Sequence, residues 1–189
     1  MTPQFIELVV QLVVKEHRSL EDAVFQAINE LHLSYRSSGF NREHLLAAIN
    51  DYRSLFKPEQ VQAIKHLQEL AINAMTLVEE FQPSLIGDIA EGSSPIPNIE
   101  ILLDNADSED IAIILSNRNI PWKSTEQARY INKSEQAQIP GISFFAENTR
   151  ITFLCLASLG DRPKLFDNLE RKPLKRKNLQ DMQASLQID

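Results

Sequence analysis

Residues 81–103 read FQPSLIGDIAEGSSPIPNIEILL, and this stretch decides how the chain divides. Before it, apolar residues recur every three or four positions; after it, they alternate or gather in short runs. Within it, Leu85-Ile86 lead to Gly87, and a segment rich in Gly, Ser and Pro follows. Then Asn98-Ile99-Glu100-Ile101-Leu102-Leu103 alternates polar and apolar before turning wholly apolar. The expected order is strand, loop, strand. In the second strand, side chains two apart share a face, so Asn98 and Glu100 point one way and Ile99 and Ile101 the other. Two oxygen-bearing side chains are therefore expected to converge beside a glycine turn.

The order Ile86-Gly87-Asp88, nine residues, then Asn98-Ile99-Glu100-Ile101 resembles the motif of the nucleotidyltransferase (polymerase beta-like) superfamily. That motif is hydrophobic-Gly-(Gly/Ser), a spacer, and Asp-hydrophobic-(Asp/Glu)-hydrophobic; the resemblance covers about Phe81 to Ala157. In the family, backbone N–H groups of the glycine turn cradle the nucleotide phosphates. The carboxylate pair holds Mg²⁺, and a later strand gives a third carboxylate. The resemblance implies a cofactor-binding set of Gly87, Asp88, Ser93 and Ser94, with Glu100 as the metal ligand and Asn98 with Glu100 as the catalytic pair.

The residues depart from that pattern. Asn98 offers a neutral amide where Mg²⁺ prefers an anionic oxygen. Asp88 puts a negative side chain where a triphosphate would be cradled. Ser93 and Ser94 carry donors, but beside Gly92 and Pro95 they also read as turn chemistry. The run Ile151-Thr152-Phe153-Leu154-Cys155-Leu156, where a third carboxylate belongs, contains none. The chain is therefore expected to be a degenerate, non-catalytic member that binds a small-molecule or protein partner and needs no cofactor. The alternatives are an active Mg²⁺-dependent nucleotidyltransferase using Glu100 and a nucleoside triphosphate, or an RNA-contacting accessory protein.

Composition sets outer bounds. With 189 residues, 43% hydrophobic and 24% charged, the chain has the balance of an ordinary globular domain or two small ones sharing a core. The net charge of −7 argues against nucleic acid as the main partner. The single Cys155 excludes an intramolecular disulfide and any multi-cysteine metal site. The opening Met1-Thr2-Pro3-Gln4 lacks a basic region and cleavage site, and Phe5–Val14 is too short and too polar for a membrane span. A cytoplasmic protein is expected.

Residues 1–80 read as a helical region. Thr2 caps a helix starting at Pro3 and running to about His17. Its apolar residues nearly encircle it, which suggests partners on several sides, within the chain or across a homodimer interface. Ser19 caps a second helix with the spacing of a capping box, and Ser34 to Phe40 reads as a loop. Asn41 caps a third helix whose Arg42, Glu43, Asn50 and Arg53 are expected to stay wet. A fourth, from Pro58, repeats its apolar positions through Phe81.

After the motif, Ser108 is expected to open a helix that Asn119-Ile120-Pro121 ends. Short strands are expected at Trp122–Ser124 and Ala128–Asn132, and a hairpin joins Gly141–Ala146 to Arg150–Leu156 around Glu147-Asn148-Thr149. The fold class is α+β: a helical bundle (1–80), then a mixed-sheet nucleotidyltransferase-like domain (81–160), then a basic C-terminal tail (161–189). Between Arg162 and Lys177 stand seven basic residues against Asp167 and Glu170. Interleaved Leu165, Phe166, Leu169 and Leu174 suggest an intramolecular strap on an acidic neighbour rather than an RNA arm. A short helix is expected over about Leu179–Leu186. The four histidines lack the spacing of a helical metal site. Trp122 and Tyr130 could stack on a base or pack in the sheet.

Overall fold

The computed structural model describes residues 1–157 and 164–187. It is α+β, and its contacts divide the chain into a unit of residues 1–66 with 91–96 and a unit of residues 67–90 with 97–189.

The first unit is built from helices. The Thr2 hydroxyl accepts from the Phe5 amide at 3.3 Å and Pro3 occupies the first turn, so α1 (Pro3–Val14) starts where expected. It ends at Val14 rather than near His17, because His17 adopts φ 56° and turns the chain. The helix α2 (Leu20–Glu30) begins at the Ser19 cap, whose hydroxyl accepts from the Asp22 amide at 3.1 Å. Where a loop was expected, Ser34 and Ser37 cap each other and close one helical turn, α3 (Tyr35–Ser38). Gly39 at φ 61° then reverses the chain toward α4 (Arg42–Phe56). Helix α1 packs on α2 and α4, with Phe5, Val9, Leu12, Val13, Val14, Leu45 and Ile49 buried. Most of the apolar girdle of α1 thus finds cover inside the chain, while Ile6 and Leu8 stay partly exposed.

One expectation about α4 is overturned. Arg53 is not wet: it is 1% exposed. Its guanidinium donates to Gly92 O at 2.9 Å, Ser93 O at 2.7 Å and Gln60 Oε1 at 3.2 Å. Arg42 is half-buried and pairs with Glu91 at 2.8 Å. These two arginines fasten residues 91–96 to the helical unit. Buried carbonyls need donors, and a guanidinium supplies several from one rigid fork.

Helix α5 (Pro58–Leu77) crosses the boundary between the units, and a 3₁₀ turn (Glu79–Phe81) leads into the second. There β1 (Pro83–Ile86) and β2 (Asn98–Leu103) form where expected. The residues after Gly87 are not all loop: Gly87–Glu91 forms the short helix α6. Helix α7 (Ser108–Asn117) is preceded by Asp107, whose amide donates to Asp110 Oδ2 at 3.3 Å, so the cap is Asp107 rather than Ser108. The two expected short strands are one, β3 (Trp122–Tyr130), followed by β4 (Gln136–Ala146) and β5 (Thr149–Cys155). Continuous pairing of β3 with β4 over all nine β3 residues explains the merger. Glu147 and Asn148, at φ 48° and 66°, make the two-residue hairpin between β4 and β5. The two-residue β6 (Lys177–Asn178) and α8 (Leu179–Gln187) follow.

The sheet order is β3-β4-β5-β2-β1-β6, mixed because β2 and β5 run parallel and the other pairs antiparallel. On one face Leu85, Ile99, Ile101, Ile142, Ile151 and Phe153 share a core with Met75 and Val78, with Ile111 and Leu115 of α7, and with Met182 of α8, while Ser124 and Glu126 of the edge strand β3 stay exposed on that side. The other face is divided. Its apolar part, Ile86, Leu102, Ile139 and Leu154, is covered by Leu165 and Leu174 from the tail. Arg162 lies outside the described residues; of the other tail bases, Arg176 pairs with Asp104 at 2.7 Å and Arg171 stacks on Tyr130 at 3.3 Å. Residues 165–176 therefore lie as a strap on their own unit.

Candidate functional site

The remaining part of the divided face holds Glu100. Register places Glu100 of β2 beside Thr152 of β5, and Thr152 beside Ser143 of β4, so the three form a row on one face. Gly87 stands at the end of β1 with φ 76°, and a Cβ added there would lie 3.9 Å from Glu100 Oε2. The turn and the carboxylate are thus neighbours. Asn98 lies two residues earlier on the same strand face and is exposed; Asp88 is half-buried in α6.

Glu100 is ion-paired within the chain. Its Oε2 accepts from Arg129 Nη2 at 2.7 Å, and the same nitrogen donates to Gln127 Oε1 at 2.6 Å. The arginine and glutamate side chains keep only 21% and 17% exposure respectively. Charge-assisted contacts of this length are the strong ones, and partial burial spares them screening.

How Arg129 reaches Glu100 is the main structural feature of the site. Opposite Ser143 in β3 stands Lys123, while Arg129 lies further along that strand, paired with Ala137. At roughly 3.3 Å per residue it would be about 20 Å away along a flat sheet, beyond any arginine's reach. The β3–β4 hairpin therefore curls back over this face. Pairing of β4 with β5 stops at Gly141, where a Cβ would collide with the Phe153 carbonyl, and Pro140 precedes it. Gly141 admits the close approach and Pro140 interrupts the ladder, so the bend falls there. Ile139, carried over by the bend, is fully buried in the same cluster as Ile86 and Leu102.

Two polar atoms in this region, Thr152 Oγ1 and Arg129 Nε, are buried without a protein partner. This face carries the amide of Asn98, the ion-paired carboxylate of Glu100 and the hydroxyl of Thr152. Among the described residues no group of three or more His, Cys, Asp or Glu side chains is placed to hold a metal ion. Glu100 alone, already shared with a guanidinium, does not fit a divalent cation that wants several oxygen ligands.

Ser93 and Ser94 belong to the first unit, are fully buried, and Ser93 gives its carbonyl to Arg53. Trp122 is partly exposed and donates from Nε1 to Ser116 Oγ at 3.0 Å, and Tyr130 carries Arg171 on its ring. Neither is a core residue. Cys155, at the end of β5, has its thiol pushed up from 9.0 to about 11 by burial, with Asp107 and Asp110 adding to the effect. Burial and pKa make it an inert core thiol. The residues that the sequence alone did not single out are Arg129, Gln127 and Thr152. A Pro-Gly pair inside an apolar run was the available signal for the bend.

Comparison with family models, with curated proteins and with solved structures returns no match.

Proposed function

We propose that this chain is a non-catalytic protein of nucleotidyltransferase-like design, whose role is to bind a ligand or partner rather than to transfer a nucleotide. The observation that carries the reading is the Arg129–Glu100 contact of 2.7 Å. It puts a fixed cation of the chain itself against the one carboxylate of the motif. Support comes also from the order of elements: a strand, a glycine at positive φ, a short helix, and a second strand whose Glu100 faces that glycine. A parallel strand beside it brings Thr152 where a third carboxylate would complete a metal site.

In this reading the guanidinium replaces the metal, and the curled hairpin replaces the nucleotide as cover for the face. A guanidinium neutralises Glu100 but offers no open coordination position and no way to polarise a phosphate. The test is a transfer assay with radiolabelled nucleoside triphosphates, Mg²⁺ or Mn²⁺, and RNA or protein acceptors. No label above background is expected. Metal-dependent labelling that Glu100→Gln abolishes would establish the catalytic alternative instead.

A further inference from the structure

The first unit carries an open groove of about 520 Å³ between α1 and α4. Its floor is apolar, formed by Ile6 and Val10 of α1 and by Ala48 and Tyr52 of α4, and Glu7, Gln11 and Lys15 border it. Beyond the groove, α4 ends in Leu55 and Phe56, which are 74% and 63% exposed. Tyr52 and Phe56 stack with ring centroids 4.8 Å apart, so the apolar strip runs unbroken from the groove to the exposed pair. A hole and a knob thus lie side by side on one unit. An exposed strip of this kind marks an interaction surface.

The charges beside the groove identify the occupant. Glu7 and Gln11 of α1 and Lys15, its C-cap in helical conformation, are spaced four apart, with one acid and one base at equal distances from Gln11, whose Nε2 donates to Glu7 Oε1 at 3.5 Å. At 1.5 Å per residue each lies about 6 Å from it along the axis. A two-fold axis through Gln11, perpendicular to α1, sets Glu7 of one copy against Lys15 of the other, twice. The pattern is self-complementary, which is what an isologous interface requires.

The same axis also places the knobs. Helices α1 and α4 run in the same direction: a Cβ added at Gly39, just before α4, would lie 2.8 Å from the Met1 amino nitrogen, and Gln60, just after α4, donates to Val14 O at 2.8 Å. Leu55 and Phe56 therefore lie level with the end of α1. Reversal by the two-fold carries them to the first half of the partner's α1, where Ile6 and the small Ala48 leave the groove open. Each copy fills the other's groove. We infer that the chain forms a two-fold symmetric homodimer, with antiparallel α1 helices crossing at Gln11 and Phe56 of each copy seated in the other's α1–α4 groove.

The full chain tests this by sedimentation velocity and light scattering. A dimer is expected, and Phe56→Ser, at an exposed position, should raise the dissociation constant about tenfold or more without altering the circular dichroism. Glu7→Lys and Lys15→Glu should each do the same, since like charges then face across the axis. Mixing these two variants should restore a dimer, because in the mixed pair opposite charges again face each other at both ends of the crossing. Gln11→Cys should cross-link on oxidation, while Gln138→Cys, on the exposed part of β4, should not. A monomeric wild-type chain would overturn the inference. So would a dimer that both charge variants leave intact, or two weakened variants that fail to complement, either of which assigns the groove to a different partner.

Discussion

The two faces of the sheet are made by the same strands and covered in different ways. On one, apolar side chains of β1, β2, β4 and β5 meet a layer of helices and serve packing. On the other, the chain uses its own hairpin and its own tail as the cover, and Glu100, in a row with Thr152 and Ser143, is ion-paired to Arg129. The first face is what any α+β sheet needs in order to fold. On the second, the charge of Glu100 is matched within the chain by Arg129.

That contrast predicts a graded response to mutation. The largest effect should come from the helix-covered face: Phe153, fully buried and in ring contact with Phe144 at 5.4 Å, should cost about 3–5 kcal/mol when replaced by Ala. Chemical denaturation measures it. A loss comparable to that of a surface change would mean that this face is not the main core.

Next is the hinge of the cover. Gly141→Ala puts a methyl group against the Phe153 carbonyl and should cost about 1–3 kcal/mol, although the residue added is small and apolar. A comparable cost should attend Arg129→Ala, about 1–3 kcal/mol, because Glu100 and Gln127 lose their shared donor while remaining partly buried. A double-mutant cycle with Glu100→Ala isolates the pair, and a coupling energy near zero would show that the contact is incidental.

Smaller still is Thr152→Val. Its hydroxyl is buried without a protein partner, so removing it at constant shape should leave stability unchanged or raise it by up to about 1 kcal/mol. Destabilisation would reveal a partner for the hydroxyl. Cys155 supplies the pH arm of the comparison. With the folded thiol at about 11 against 9.0 when unfolded, the unfolded chain loses its proton first. The contribution of Cys155 to stability is therefore present below pH 9.0 and is lost as pH rises toward 11. Urea midpoints of wild type and Cys155→Ala across that range separate this term from other alkaline titrations.

What could be read in the sequence followed local rules. Helix periodicity, the Thr2, Ser19 and Asn41 caps, and the alternation in Asn98–Leu103 depend on neighbours within a few residues, and these elements stand where such rules put them. The Glu147-Asn148 hairpin is of the same kind. The remainder depended on contacts between distant residues. Arg129 and Glu100 are 29 residues apart and meet only because the hairpin bends at Pro140-Gly141. Arg53, on the expected wet side of α4, is drawn inside by carbonyls 39 and 40 residues away. Polar residues follow helical periodicity only until a buried acceptor claims them. The same limit applies to Ser93 and Ser94, which are buried in the first unit, where the Ser93 carbonyl accepts from Arg53.

The central question is whether the motif face can accept a metal-bound nucleotide. Calorimetric titration of Mg-ATP into the wild-type chain, repeated without Mg²⁺, tests it most directly. No saturable heat is expected in either titration, and the variant Asn98→Asp, Asp88→Ser, Arg129→Ala should acquire a weak metal-dependent signal as charge and space return to the site. Saturable, Mg²⁺-dependent binding of Mg-ATP by the wild-type chain, with an affinity in the low micromolar range, would contradict the non-catalytic reading.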